Sequence, residues 1–540
     1  MIEIYDTTLR DGTQREGISL TCDDKLRIAA RLDELGIPLI EGGWPGSNPK
    51  DVEFFARARD RPWQQSAIVA FGATRRVGVA IEDDANLRAV LDAGTDVCTI
   101  FGKSWSLHVT EVLRTSLDDN LELIEESIAY LKAAGRRVIY DAEHFFDGYA
   151  ADPEYAVATL SAAVRGGAEV VVLCDTNGGS MPWQVEAAVG RVSQAIDCRL
   201  GIHTHDDSGC AVANAIAAIN AGVVHVQGTV NGYGERCGNA NLCTIIANLE
   251  LKLGMPCLPD GALARLYDVS RFVAETANLA PDEHMPYVGR SAFAHKGGVH
   301  VSAIRRNSRS YNHVVPSLVG NEMRVVVSEL SGRGNVLCKA EELGFRIDKG
   351  WNGGREVDVG SVLAEIKQNE ASGFAYESAE ASIALMLARR QAEYQPPYQL
   401  IDYMVNVEHR QGRGTFAEAT VKVAVHSHVV HTAAEGNGPV HALDRALRKA
   451  LLPVYPGLAE IELLDYKVRI LDGSRATSST TRVLMLTTDS HSTWGTVGAS
   501  TNIIDASWRA LTDAFEYGLC LLRRAQTTRA MTKEPTATIS

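Results

Sequence analysis

The chain has 540 residues, 45% hydrophobic and 22% charged, with a formal net charge of -14. That is an ordinary globular composition, long enough for roughly three domains at ~150 residues each. The acidic balance argues against nonspecific nucleic-acid binding, but not against an anionic substrate held by a local basic site.

Residues 1–272 alternate short apolar runs with amphipathic segments. Eight runs read as strands: IEIYD (2–6), IPLIEG (37–42), AIVAFG (67–72), DVCTIFG (96–102), RVIYDAE (137–143), VVVLCDT (170–176), RLGIHTH (199–205) and VHVQGTV (224–230). DDKLRIAARLDELG (23–36) and DDNLELIEESIAYLKAAG (118–135) have helical periodicity. Eight such units predict an α/β fold, a (β/α)8 TIM barrel. A doubly wound sheet is the rival, but it usually has fewer strands and a Gly-rich first turn, and the turn here is DTTLRDG.

Residues 273–397 change character. GRSAFAHKGGVHVSAIRRNSRSYNHVVP predicts an irregular arm with short helices. Helices are expected in NVLCKAEELGF and VGSVLAEIKQNEASGF, and over 376–393, before a linker at Pro396–Pro397. Residues 398–525 contain a duplication. GNGPVHALDRALRKAL (436–451) resembles STNIIDASWRALTDAF (500–515), each preceded by strand-like runs. This predicts a duplicated α+β domain with regulatory and dimerisation roles. Residues 526–540 are polar and read as a disordered tail.

The chain shows no apolar run near the ~20 residues of a membrane span. Met1 leads directly into a strand, which leaves no room for a signal peptide. The ten cysteines have no zinc-like spacing. Reduced thiols and a cytoplasmic setting are expected.

In a barrel of this kind the active site lies at the C-terminal strand ends. Polar residues gather there: Arg10 and Asp11 after strand 1, Glu41 on strand 2, Glu143 on strand 5 and Thr176 on strand 6. His203 and His205 end strand 7, and Asn231 follows strand 8. Two His at i and i+2 on a strand share a face. With Asp11 brought to the same rim they form a donor set for one divalent metal. Arg10 beside it suits an anionic substrate. Asn239 sits where a helix N-cap belongs, or completes the coordination. Two His and a carboxylate also match non-haem iron oxygenases, which usually use a jelly roll. Glu143 is either an active carboxylate or half of a buried ion pair with a barrel Arg. His300 and Tyr311, with His295 nearby, are either surface groups or an acid/base pair delivered over the site.

DTTLRDGTQREG, HTHDDSG, GYGERCGNANL and HKGGVH followed by Tyr311 resemble a family of metal-dependent Claisen-type acyltransferases and lyases. It contains the 2-isopropylmalate, homocitrate and citramalate synthases. GGWPGSNPKD, FGKSWSLHV and DAEHFFDGY look most like the citramalate branch. The resemblance covers nearly the whole chain. It implies condensation of pyruvate with acetyl-CoA at a divalent metal (Mg, Mn or Zn). Asp11, His203 and His205 match the metal ligands, with Asn239 at a weaker fourth position. Arg10 matches the arginine beside the reacting oxygen, and Thr176 the keto-acid contact. Glu143 matches the carboxylate near the acetyl group, and His300 and Tyr311 the acid/base pair. The resemblance also implies a homodimer with a branched-chain amino-acid effector, isoleucine first and leucine second. A lyase usually lacks the C-terminal domain, and an inactive sensor would have lost Arg10, Asp11 or the His pair.

Overall fold

Eight parallel strands close into a barrel in sequence order. They are β1 (Glu3–Asp6), β2 (Leu39–Gly43), β3 (Ala67–Ala73), β4 (Val97–Lys103), β5 (Arg137–Glu143), β6 (Val170–Asp175), β7 (Arg199–Thr204) and β8 (His225–Gly228). Each overlaps a run expected from sequence, with ends that differ by at most two residues. The computed structural model describes residues 2–343, 358–391, 394–412, 414–472 and 478–531. They divide into two compact units, one holding residues 1–293 and 312–323, the other the remainder.

Ten helices belong to the barrel unit: α1 (Cys22–Leu35), α2 (Pro49–Arg59), α3 (Ala85–Asp92), α4 (Leu117–Ala133), α5 (Phe145–Ala151), α6 (Pro153–Gly166), α7 (Pro182–Ala195), α8 (Ala211–Asn220), α9 (Leu242–Asn248) and α10 (Leu266–Thr276). Their ends follow local chemistry. Thr21 and Asp24 form a capping box on α1, and Ser116 and Asp119 do so on α4. Gly36 closes α1 at φ 92°, a left-handed conformation that suits glycine. Strand parity separates two cores. Tyr5, Leu39, Val69, Val97, Ile139, Val170 and Val172 form a small core of their own. Ile4, Ile40, Ile68, Val138 and Val171, the opposite faces of the same strands, join the large core with the helices.

The second unit begins with a parallel pair, β9 (Ala294–His295) and β10 (Arg324–Val325), and with α11 (Gly298–Arg306) between them in sequence. Then come α12 (Arg333–Glu342), α13 (Val359–Ala371) and α14 (Glu380–Ala388). The last is shorter than the helix expected over 376–393. The Tyr376 amide donates to Glu370 and its hydroxyl accepts from Asn369, which holds that segment as a turn off α13. Residues 392–393 lie outside the described set.

The duplication is visible as two antiparallel three-stranded sheets, each followed by a helix. The first is β11 (Gln399–Arg410), β12 (Gly414–Val425) and β13 (His428–Gly436), then α15 (Pro439–Leu451). The second is β14 (Glu462–Ile470), β15 (Thr481–Thr488) and β16 (Thr493–Ser500), then α16 (Ile503–Met531). β13 and β16 were not expected, because polar HTAAE and Gly-rich TWGTVGAS mask their alternation. The register shifts between Leu400 and Asp402 in one sheet and between Leu463 and Asp465 in the other. The matching irregularity falls in LIDY and LLDY, which repeat at the same place in each half. α16 runs to Met531, past residue 525, since residues 526–534 contain no Gly or Pro. Residues 532–540 of the expected tail lie outside the described set. No helix among the described residues is long and apolar enough to cross a membrane.

Candidate metal and substrate site

Barrel closure pairs β1 with β8 and β7 with β8, which brings Asp11 and the β7 histidines to one rim. His203 Nε2 lies 3.2 Å from His205 Nε2 and 3.3 Å from Asp11 Oδ2. His205 Nε2 lies 3.9 Å from the same oxygen. All three residues are buried, and they are the cluster among the described residues whose ligand atoms converge closely enough for one metal ion.

The electrostatics suit a cation. Burial alone would raise the Asp11 pKa, but the Arg10 guanidinium and His203 outweigh it and hold the carboxyl well below its usual range. Burial and the neighbouring His203 push His205 down to about 4. At His203 burial is outweighed by Asp11, which raises its pKa, so a metal would displace a proton there; an ionised carboxylate and neutral imidazoles are the forms a divalent metal binds. Asn239 does not cap α9; Asn241 does, accepting from the Cys243 amide. The Asn239 amide nitrogen instead donates to the Tyr233 carbonyl, leaving its buried Oδ1 without a partner. Its backbone bridges that of His205. The converging Asp11 oxygen and histidine nitrogens fit a divalent ion.

Arg10 is fixed from three sides. Its Nε donates to Glu41 Oε1 at 2.5 Å, and its Nη1 lies 3.5 Å from Asp11 Oδ1. Its Cζ sits 3.8 Å over the Phe71 ring. Glu41 is fully buried and also accepts from the Tyr5 hydroxyl at 2.6 Å. The buried carboxylate neutralises the guanidinium and sets its angle.

Arg10, Asp11, Glu143, Thr176, His203 and His205 line one cavity of about 210 Å³, together with Trp44, Phe71, Phe101 and others. This is below the ~300–1,000 Å³ of drug-sized pockets and suits a small acid. Phe71 and Phe101 stack at 5.5 Å, and Trp44 stands edge-on to both. Thr176 Oγ1 accepts from the His144 amide at 2.9 Å, so its own proton is free to point elsewhere. Glu143 is not buried against a barrel Arg. Its side chain is 24% exposed and pairs with Lys103, its register partner on β4. His300 and Tyr311 belong to the second unit, where their rings stack at 4.2 Å. The cavity lining comes wholly from the barrel unit.

Several site residues escaped the sequence analysis. Gln227 Oε1 meets His203 Nδ1 at 2.9 Å, and Gln227 Nε2 donates to Asp141 Oδ1 at 2.8 Å. Burial pushes Asp141 up to about 7. Arg236, which shares the lining, donates to the Thr176 carbonyl at 2.8 Å and pairs with Asp207. Strand parity was the available signal: Asp141 is two residues before Glu143 and shares its face.

Residues 1–273 match the HMGL-like family. Residues 287–369 match the homocitrate synthase post-HMGL domain-like family, and 377–519 the LeuA allosteric (dimerisation) domain. The fold is thus that of an HMGL-like enzyme with a LeuA-type C-terminal domain. The (R)-citramalate synthases of Geobacter sulfurreducens and Synechocystis are each 53% identical, over 96% of this chain and 98% and 96% of theirs. A 2-isopropylmalate synthase of Methanocaldococcus jannaschii is 27% identical over 95% of this chain and 93% of its own. The chain belongs to the (R)-citramalate synthase branch of the HMGL-like family.

Proposed function

We infer that this enzyme condenses pyruvate with acetyl-CoA and hydrolyses the resulting thioester, giving citramalate and CoA. The observation that carries this is the convergence of Asp11, His203 and His205 beside Arg10, in a small aromatic-walled cavity. Identity to (R)-citramalate synthases over nearly the full chain supports it.

Asp11, His203 and His205, with Asn239 as a fourth donor, would hold a divalent metal (Mg, Mn or Zn), which as a Lewis acid polarises the 2-keto group of pyruvate. Thr176, whose oxygen already accepts from His144, donates its proton to the pyruvate carboxylate. Arg10 donates to the keto oxygen as negative charge develops there. Glu143 and His300 are the two candidates for removing a proton from the acetyl methyl, and Tyr311 completes the acid/base set with His300. The methyl carbon then bonds to the keto carbon, the oxygen is protonated, and water cleaves the C–S bond. Phe71, Phe101 and Trp44 leave room for the pyruvate methyl and resist a longer side chain.

Thiol release from acetyl-CoA across a panel of 2-keto acids tests this. Pyruvate should give the highest kcat/KM. Each added methylene should cost about 1–3 kcal/mol, so 2-ketobutyrate should leak through weakly. A higher kcat/KM with 2-ketoisovalerate would replace this reading with a 2-isopropylmalate synthase. No thiol release with any keto acid would favour a lyase or a sensor.

The reading extends to a cytoplasmic homodimer whose residues 398–525 sense a branched-chain amino acid, isoleucine first and leucine second. The LeuA-type match and the duplicated sheets support it. Full-length enzyme should be inhibited, with a coupling of about 1–3 kcal/mol between the sites. A chain ending near residue 395 should lose that inhibition. Equal inhibition of the shortened chain would place the effector elsewhere.

A further inference from the structure

We propose that Asp141 and Gln227 form a relay that dictates which ring nitrogen of His203 carries its proton, and so makes His203 Nε2 a ready metal donor. The proposal rests on the metal reading above and assigns two further residues to positioning. Asp141 lies on β5 and Gln227 on β8, strands that do not pair. Their side chains meet nonetheless: Gln227 is 1% exposed, Asp141 4% and His203 6%. Buried polar atoms at such depth need partners, and each choice of partner constrains the next.

The order runs from the carboxylate outward. Asp141 Oδ1 accepts from the Gln227 Nε2 amide at 2.8 Å, which fixes the way the amide faces. That turns Gln227 Oε1 toward His203 Nδ1, at 2.9 Å. An oxygen acceptor there requires the proton on Nδ1. His203 Nε2 is then a lone-pair donor, 3.2 Å from His205 Nε2 and 3.3 Å from Asp11 Oδ2. With the amide reversed, Gln227 would donate to Nδ1, and the proton would move to Nε2 and block coordination. A buried amide in this place has a desolvation cost that an apolar side chain would avoid. Fixing the histidine is what it adds in return.

The two residues act through His203, so the test reads metal affinity in the full-length chain. The probe is Mn(II) alone, titrated into chelator-treated protein, with thermal unfolding as the control for folding. Gln227→Leu removes the acceptor and should raise the Mn(II) Kd about 10- to 100-fold. Asp141→Asn should raise it less, because an asparagine both donates and accepts and no longer imposes one order. The double exchange Gln227→Glu with Asp141→Asn should recover most of the affinity. In that variant the new amide on β5 donates to the new carboxylate on β8, and this carboxylate again accepts from His203 Nδ1. A purely space-filling role for the pair would not give this rescue. An unchanged Kd in folded Gln227→Leu, or a double variant as weak as that single variant, would overturn the relay while leaving the metal site standing. An active wild-type protein that bound no Mn(II) and no other divalent ion would instead overturn the metal reading, and the relay with it.

Discussion

The two ends of the barrel use the same residue types to opposite effect. At the N-terminal ends, Glu3 of β1 is shared by two arginines and a histidine from three other strands. Arg137 Nη2 lies 2.8 Å away, His225 Nδ1 2.9 Å and Arg199 Nη2 3.4 Å. At the C-terminal ends, Asp11 faces Arg10 and two histidines whose nitrogens point at one another. In the lower cluster a carboxylate is surrounded by partners. In the upper one several acceptors converge, Asp141 is pushed up to about 7, and Asn239 Oδ1 has no partner. A barrel that balances charge at one end and leaves acceptors converging at the other separates stability from ligand binding. The contrast can be broken by exchanging which end is disturbed.

The largest expected effect comes from the upper end. Asp11→Ala and His203→Ala should lower kcat/KM by at least about 10²–10³-fold, the scale of losing stabilisation at a developing oxyanion. Both variants should remain folded, with Asp11→Ala melting below wild type because it removes the carboxylate that Arg10 and His203 stabilise. Chelation should reproduce the loss, and added metal should reverse it. Full activity in exhaustively demetallated protein would erase the distinction between the two ends. Next come Glu143→Gln, His300→Ala and Tyr311→Phe. Each should lower kcat by about 10²-fold, the lower end of what proton transfer contributes, with little change in the pyruvate KM. A change confined to KM would make them binding residues.

These expectations also mark where the sequence was readable. The eight strands were legible because parallel strands covered on both faces read as continuous apolar runs, as VVVLCD does in β6. Asp11, His203 and His205 were legible because they sit at strand ends, where a barrel gathers its chemistry. Asp141 and Gln227 were not. Each lies inside its strand rather than beyond the strand end, and its role appears only when β5 and β8 close around the same interior. Lys103 required strand register, since its pairing with Glu143 follows from their being opposite on β4 and β5. In the second unit the helices of the duplication were legible from their shared pattern. The third strands were hidden because β16 is rich in Gly and small residues, and close contacts rather than side-chain alternation fix it. A Cβ on Gly495 would come 1.8 Å from the Ser378 carbonyl oxygen, and one on Gly498 2.0 Å from that of Ala506.

The smallest effect, and the one that sharpens the comparison most, lies at the lower end. Burial would raise the Glu3 pKa, but His225 and Arg137 outweigh it and bring it down to about 2. A carboxyl depressed in the folded state stabilises fully above its unfolded pKa, near 4.5, and loses that contribution as pH falls toward about 2. At about 1.4 kcal/mol per pKa unit, the fall from 4.5 to about 2 caps the contribution at about 3.5 kcal/mol, and solvent screening of this partly exposed carboxyl lowers it further. Burial depresses the His225 pKa as well, so acid weakens this end through both groups. Glu3→Gln should therefore lower the stability of the barrel unit to urea at pH 7, and the gap from wild type should shrink by more than half by pH 3. Its kcat should stay within about twofold of wild type, because Glu3 lies at the opposite strand ends from Arg10 and Asp11. A loss of stability that did not fade in acid would show that Glu3 acts through packing rather than charge. A large fall in kcat at unchanged stability would show that the two ends are not independent.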